Sequence, residues 1–328
     1  MKNIAIIGSG SWGSALGIYL ARRGHNVKMW SFSESERDMI NNDKKCKFLP
    51  LATIPDNVYA SSDCKEVVEG ADLIFHVTPS KFTRETVKKY KDYLTVDQPV
   101  IICSKGFEAE SLKTLDDVLE EELPNNRIGV LSGPSHAEEV SLNVPTALVA
   151  ASKYPELSDE VVDVFKSETM RMYTSNDVKG VELGGALKNI IAFCAGASAG
   201  LELGDNTFAA LLTRGLVEIS RLGVALGGNR DTFYGLTGLG DLIVTCNSLH
   251  SRNRKAGFLI GQGKTLEETK QEVGMTIESV DNIEVAYKLA KIHNIEVPII
   301  DTVYDVLYNN LDPRSGVNRL MTRDLKAE

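Results

Sequence analysis

Residues Asn3 to Ile7 form a short apolar run, and Gly8-Ser9-Gly10-Ser11-Trp12-Gly13 follows it directly. An amphipathic segment from Ser14 to Arg23 comes next, then a stop at Gly24 and a second apolar run from Val27 to Trp30. The order predicts strand, glycine turn, helix and strand, and few architectures accept it. In such a unit Gly8 allows the tight turn, Gly10 lets the backbone approach a pyrophosphate, and Gly13 lets helix and strand pack closely. The unpaired amides at the helix start then hold the phosphates. A glycine triplet alone is weak evidence, but with these flanks it reads as a dinucleotide-binding turn.

An acidic residue about 20 positions on would hold the ribose 2′-hydroxyl of NAD. Here that place is Trp30-Ser31-Phe32-Ser33, with no carboxylate before Glu34. A 2′-phosphate is therefore not repelled, Ser31 and Ser33 are candidate donors to it, and Arg37 is the nearest arginine. The pattern favours NADP modestly over NAD. Phe32 reads equally as a platform for adenine or as core filling.

Further short apolar runs at Leu73–Val77, Val100–Cys103, Ile128–Leu131 and Ala147–Ala150 suit a sheet covered on both faces. Helical patterns at Phe82–Tyr90 and Leu112–Glu122 intervene, so the expected class is α/β with a parallel, doubly wound sheet. Ligands of such sheets sit at the carboxyl ends of strands. The loops leaving those ends are Thr78-Pro79-Ser80, Ser104-Lys105-Gly106 and Ser132-Gly133-Pro134-Ser135. Lys105 there reads either as a solvent lysine or as one that reaches a bound anion or carbonyl.

From about Asp177 onward no period-two alternation remains, and segments starting near Val178, Asn206, Ser251, Thr265, Ser279 and Ile299 read as helices. With 328 residues, two domains are expected. We place a Rossmann-like nucleotide-binding domain at 1–180 and an all-helical one at 181–328.

One lysine of the second half is out of place. Lys188 is the only charged side chain in the run from Leu183 to Leu201. Leu187, Ile190, Ile191, Cys194 and Ala197 recur at helical spacing around it. A desolvated ammonium there would have a lowered pKa, suited to proton exchange near neutrality. The alternative is a lysine that snorkels from the helix's polar edge.

Two more constellations follow. Gly235-Leu-Thr-Gly238-Leu-Gly240-Asp241 makes a close-approach loop ending in a carboxylate. Asp241 either caps a helix or orients a lysine and binds a substrate hydroxyl. In Ser251-Arg252-Asn253-Arg254-Lys255, Ser251 reads as an N-cap, and the cations behind it oppose the helix dipole. A bound phosphate resolves that conflict.

Composition narrows the rest. A net charge of -9 and the lack of a basic run argue against nucleic acid as partner. The five cysteines are scattered and form no C-x-x-C pair, which fits a reducing, cytoplasmic setting and no disulfide framework or zinc site. The five histidines are dispersed, so no metal is expected. No apolar stretch is long enough for a membrane span.

Taken together, GSGSWG, SKGFEAE, LSGPSHAEEV, GGALKNIIA, GLGDLIVTC and SRNRKAG resemble the bacterial NAD(P)-dependent glycerol-3-phosphate dehydrogenases, in order and approximate spacing, from Gly8 to about Tyr308. The resemblance implies reversible hydride transfer between NAD(P)H and dihydroxyacetone phosphate, giving sn-glycerol 3-phosphate for phospholipid synthesis, and a homodimer. It implies that Lys188 exchanges the proton, with Lys105 and Asp241 also catalytic. Substrate would meet Lys105, Gly133, Ser135, Lys188, Asp241, Thr245, Ser251, Arg252 and Asn253. The cofactor would meet Gly8, Gly10, Ser11, Trp12, Gly13, Phe32, Lys105, Ala137, Arg252 and Glu278. Family members often carry a polar or basic residue at the place of Phe32. The rival readings are a phosphogluconate-type dehydrogenase, which also uses a G-x-x-x-K lysine, and a non-catalytic nicotinamide sensor.

Overall fold

The structure is a computed structural model and describes residues 1–324. Strand β1 (Asn3–Ile7) lies inside an eight-stranded sheet, and its residues Ile4 to Ile7 are buried. That is why this strand is a continuous apolar run and not an alternating one. Its neighbours are β2 (Asn26–Trp30) and β4 (Leu73–His76), both parallel to it. Beyond β2 lies β3 (Val58–Ser61), and beyond β4 lies β5 (Val100–Ile102). A separate hairpin joins β6 (Phe107–Glu108) to β7 (Lys113–Thr114). Strands β8 (Ile128–Ser132), β9 (Thr146–Ser152) and β10 (Met170–Ser175) complete the order β10-β9-β8-β5-β4-β1-β2-β3.

The register aligns the strand ends. Ile7 stands beside Trp30 and His76, and His76 stands beside Ile102. The turns at Gly8, Ser31, Val77 and Cys103 therefore share one edge of the sheet, the carboxyl edge at which such folds bind ligands.

The sheet is parallel as expected except at one pair of strands. β9 runs antiparallel to β8, pairing Leu131 with Ala150, and β10 then runs parallel to β9. The connection from β8 to β9 holds only the five-residue helix Ala137–Ser141. A parallel return usually runs through a full helix that crosses back over the sheet, and this connection has none. The helix Pro155–Phe165 supplies one between β9 and β10. The helix read from Leu112 begins instead at Leu115, because Lys113 and Thr114 pair with the hairpin strand.

The chain divides into two compact units: Met1–Glu108 with Lys113–Glu182, and Ala109–Leu112 with Leu183 onward. The second is helical throughout its described residues from Leu183, with helices at Gly204–Ala225, Asp241–Asn247, Arg252–Gly261, Glu278–Ile292, Pro298–Tyr308 and Pro313–Met321 among others. The helix Val178–Gly200 begins in the first unit and continues into the second. Among the described residues no helix is long and apolar enough to cross a membrane.

Candidate active site

Lys188 is buried, with 5% of its surface exposed, so it does not snorkel. Its Nζ donates to Asp241 Oδ1 at 2.8 Å and to Thr245 Oγ1 at 2.5 Å. Thr245 in turn donates to the same Asp241 oxygen at 3.3 Å. Asp241 and Thr245 are 1% and 5% exposed. Asp241 and Thr245 lie four residues apart on the helix Asp241–Asn247, so both face the same side. Asp241 does not cap that helix: Gly240 is the cap residue, with no side-chain bond. The carboxylate belongs to the lysine.

Local sequence explains how the two helices come so near. The loop before Asp241 winds as a π-turn over Leu236–Gly240, a geometry that recurs at functional sites. Gly184, one turn before Lys188, lies against it; a Cβ there would sit 2.8 Å from the Thr237 carbonyl oxygen. On the other side Gly257 packs on the Phe193 carbonyl, where a Cβ would come within 1.8 Å. This close approach fixes the helix Arg252–Gly261 against the lysine helix.

Ser251 caps that helix by accepting the Arg254 amide, and no acidic residue occupies its first turn. Arg252 donates to the Thr276 carbonyl at 3.0 Å, and Asn253 Oδ1 accepts the Ser279 amide at 3.0 Å. These two bonds tie the cationic turn to the start of the helix Glu278–Ile292, where Glu278 is the first residue. Arg254 Nε is buried without a hydrogen-bond partner. A helix start with cations and no acid in its first turn can hold an anion.

The first unit carries a second lysine cluster. Lys105 Nζ donates to the Gly133 carbonyl at 3.0 Å, and Ser135 Oγ donates to the same oxygen at 2.9 Å. Ala137, close by in sequence, opens the short helix after this loop. In the glycine turn, a Cβ on Gly13 would lie 1.9 Å from the Gly8 carbonyl oxygen, whereas one on Gly10 would meet nothing within 4 Å. The space over Gly10 is open, the helix Ser11–Arg22 has no side-chain cap and no acid in its first turn, and the buried Trp12 Nε1 has no partner. A dinucleotide pyrophosphate fits this arrangement of free donors.

The neighbouring loop is fixed from beneath. His76 is fully buried, with Nδ1 3.1 Å from Tyr90 Oη and Nε2 2.7 Å from Thr78 Oγ1. Burial lowers its pKa to about 3, so the imidazole is neutral. Ser104 Oγ donates to the Thr78 carbonyl at 2.5 Å.

Two readings at the tip of β2 change, those of Ser31 and Phe32. Ser31 is buried and accepts from Ser9 Oγ while donating to the Ser33 carbonyl, both at 2.9 Å, so its proton is already committed. Ser33 caps the helix Glu34–Asp38 by accepting the Glu36 amide. Phe32 is 82% exposed, which rules out core filling and leaves a free ring face. Sequence reasoning also missed Lys89, whose ammonium lies 5.2 Å from the Trp30 ring and 5.6 Å from the Phe32 ring. It arrives from the helix Thr83–Tyr90, far from the tip in sequence, so no local pattern announced it.

A nucleotide-binding sheet whose glycine turn offers free amides, together with a buried lysine held by a carboxylate in a helical unit, defines a nicotinamide-dependent oxidoreductase. Comparison with known proteins narrows the class. The N-terminal model of NAD-dependent glycerol-3-phosphate dehydrogenase matches residues 3–158, and the C-terminal model matches residues 177–318. The chain belongs to this family. A glycerol-3-phosphate dehydrogenase of the NAD(P)+ type from Fusobacterium nucleatum is 48% identical, covering 100% of this chain and 99% of its own. One from Clostridium perfringens is 46% identical with the same coverage. The crystal structure of glycerol-3-phosphate dehydrogenase from Coxiella burnetii superposes with a TM-score of 0.95 at 37% identity, covering 98% of this chain and 99% of that one.

Proposed function

We propose that this chain is an NAD(P)-dependent sn-glycerol-3-phosphate dehydrogenase that reduces dihydroxyacetone phosphate reversibly, in the cytoplasm and as a homodimer. The observation that carries the reading is the buried Lys188–Asp241–Thr245 cluster in a chain of this family. It gives a proton donor to a reaction that needs one, and a sensor has no use for it. Residues 1–180 would bind the cofactor and 181–328 the substrate.

Bound NAD(P)H supplies the hydride to C2 of the ketose phosphate. As the C2 oxygen gains charge, the Lys188 ammonium stabilises it and donates a proton; in the oxidation direction the neutral amine accepts it. Asp241 holds the lysine in position and favours its ammonium form. Lys105, Gly133 and Ser135 contact the substrate from the loops after β5 and β8. Ser251, Arg252 and Asn253 hold the phosphate at the helix start, which orients C2.

Arg252→Ala tests the phosphate assignment. We expect kcat/KM for dihydroxyacetone phosphate to fall about 100-fold, the loss of a charge-assisted bond in a closed site. Activity with unphosphorylated dihydroxyacetone should change less than threefold. Equal losses on both ketones would remove Arg252 from the phosphate site. A panel including 6-phosphogluconate separates the phosphogluconate-type rival.

Cofactor choice rests on Lys89 and Phe32 in this reading, with Lys89 offering the cation that Ser31 cannot replace. Lys89→Glu should lower the NADPH-to-NADH ratio of kcat/KM about tenfold, since a carboxylate there repels a 2′-phosphate. An unchanged ratio would place the 2′ position elsewhere.

A further inference from the structure

Within the second unit a cavity of about 290 Å³ is lined by none of the site residues described above. Its walls come from the helices Val178–Gly200, Gly204–Ala225, Pro298–Tyr308 and Pro313–Met321. Along Gly204–Ala225 the lining residues are Thr207, Ala210, Leu211, Arg214, Glu218 and Arg221. Their spacing is that of one helix face. The stripe is about 21 Å long at the usual rise of 1.5 Å per residue. The floor is made of buried apolar side chains, among them Phe193, Leu201, Ile299 and Val303. A single extended chain fits such a slot.

Charge selects the other end of the ligand. Arg214, Arg221 and Arg323 line the cavity, against the carboxyl groups of Glu218 and Glu296. Arg221 donates to the Glu296 carbonyl at 2.7 Å, and Arg323 pairs with the Glu296 carboxylate. Glu218 is buried and accepts the Ile299 and Ile300 amides. Its burial raises its pKa to about 8, which reduces the negative charge it carries at neutrality. Arg214 is exposed and has no hydrogen bond or ion pair among the described residues. In a chain of net charge -9, this cavity carries an excess of arginine. A planar guanidinium beside an apolar slot matches a carboxylate on a chain.

We propose that this cavity binds a long unbranched carboxylate, its chain in the slot and its head group on Arg214. Titration calorimetry of the full chain with dodecanoate, below its micelle concentration, tests this without using activity. The expected result is one dodecanoate per chain. Affinity should fall about fourfold for each methylene removed, as apolar burial requires. Arg214→Glu should weaken binding at least tenfold, and dodecyltrimethylammonium should bind at least tenfold more weakly than dodecanoate. Val303→Trp, which fills the slot, should abolish dodecanoate binding while NADPH binding persists, showing that the fold is retained. Several dodecanoates per chain, equal binding of the cationic amphiphile, or no change in Arg214→Glu would overturn the proposal. So would sedimentation showing a dimer that Arg214→Glu dissociates, since a second copy would then cover the cavity.

Discussion

Lys188→Met should lower kcat for dihydroxyacetone phosphate about a thousandfold, within the range that a positioned general acid contributes. The affinity for NADPH should stay within threefold, because the lysine lies outside the glycine-turn unit. The same substitution takes the paired ammonium away from Asp241, a carboxylate only 1% exposed. Removing one partner of a buried pair costs about 3–5 kcal/mol. The single variant should therefore also melt well below the wild type. The double variant Lys188→Met with Asp241→Asn removes the buried charge while an amide still accepts from Thr245. It should regain most of the stability and none of the rate. If the double variant regained the rate as well, the pair would be structural and the proton donor would lie elsewhere.

Gly13→Ala should reduce dinucleotide affinity more than 100-fold and lower the melting temperature. The added carbon would stand 1.9 Å from the Gly8 carbonyl oxygen, a backbone atom that no rotamer can move aside. The strand and helix must separate, and the free amides leave the pyrophosphate position. Gly10→Ala is the matched control, since its carbon meets nothing within 4 Å in the protein. It should fold with an unchanged melting temperature and still lose affinity about tenfold, because the methyl group takes space that the pyrophosphate needs. Fluorescence titration with NADPH beside a thermal melt separates the two effects. Tight NADPH binding by Gly13→Ala would contradict the assignment of this turn.

Where the signal was local, the sequence was readable. The tight turn from Gly8 to Gly13, the burial of the helix around Lys188 and the cap at Ser251 are each written within about a dozen residues. Pairings between distant segments were not readable. Asp241 was ambiguous between cap and partner because its lysine lies 53 residues away in the chain. Lys89 reaches Phe32 from another helix, and the hydroxyl of Ser31 turns inward to Ser33, a choice no composition encodes. The reversed β9 was missed for a similar reason: strand direction depends on whether the connection carries a full crossover helix, and the connection was read only as a loop.

The most direct measurement is the decay of NADPH and NADH absorbance when dihydroxyacetone phosphate is added to the purified chain. Steady decay that Lys188→Met reduces about a thousandfold, with sn-glycerol 3-phosphate formed in equal amount, is the expected result. Tight NADPH binding without decay, or decay that Lys188→Met leaves intact, would contradict the account.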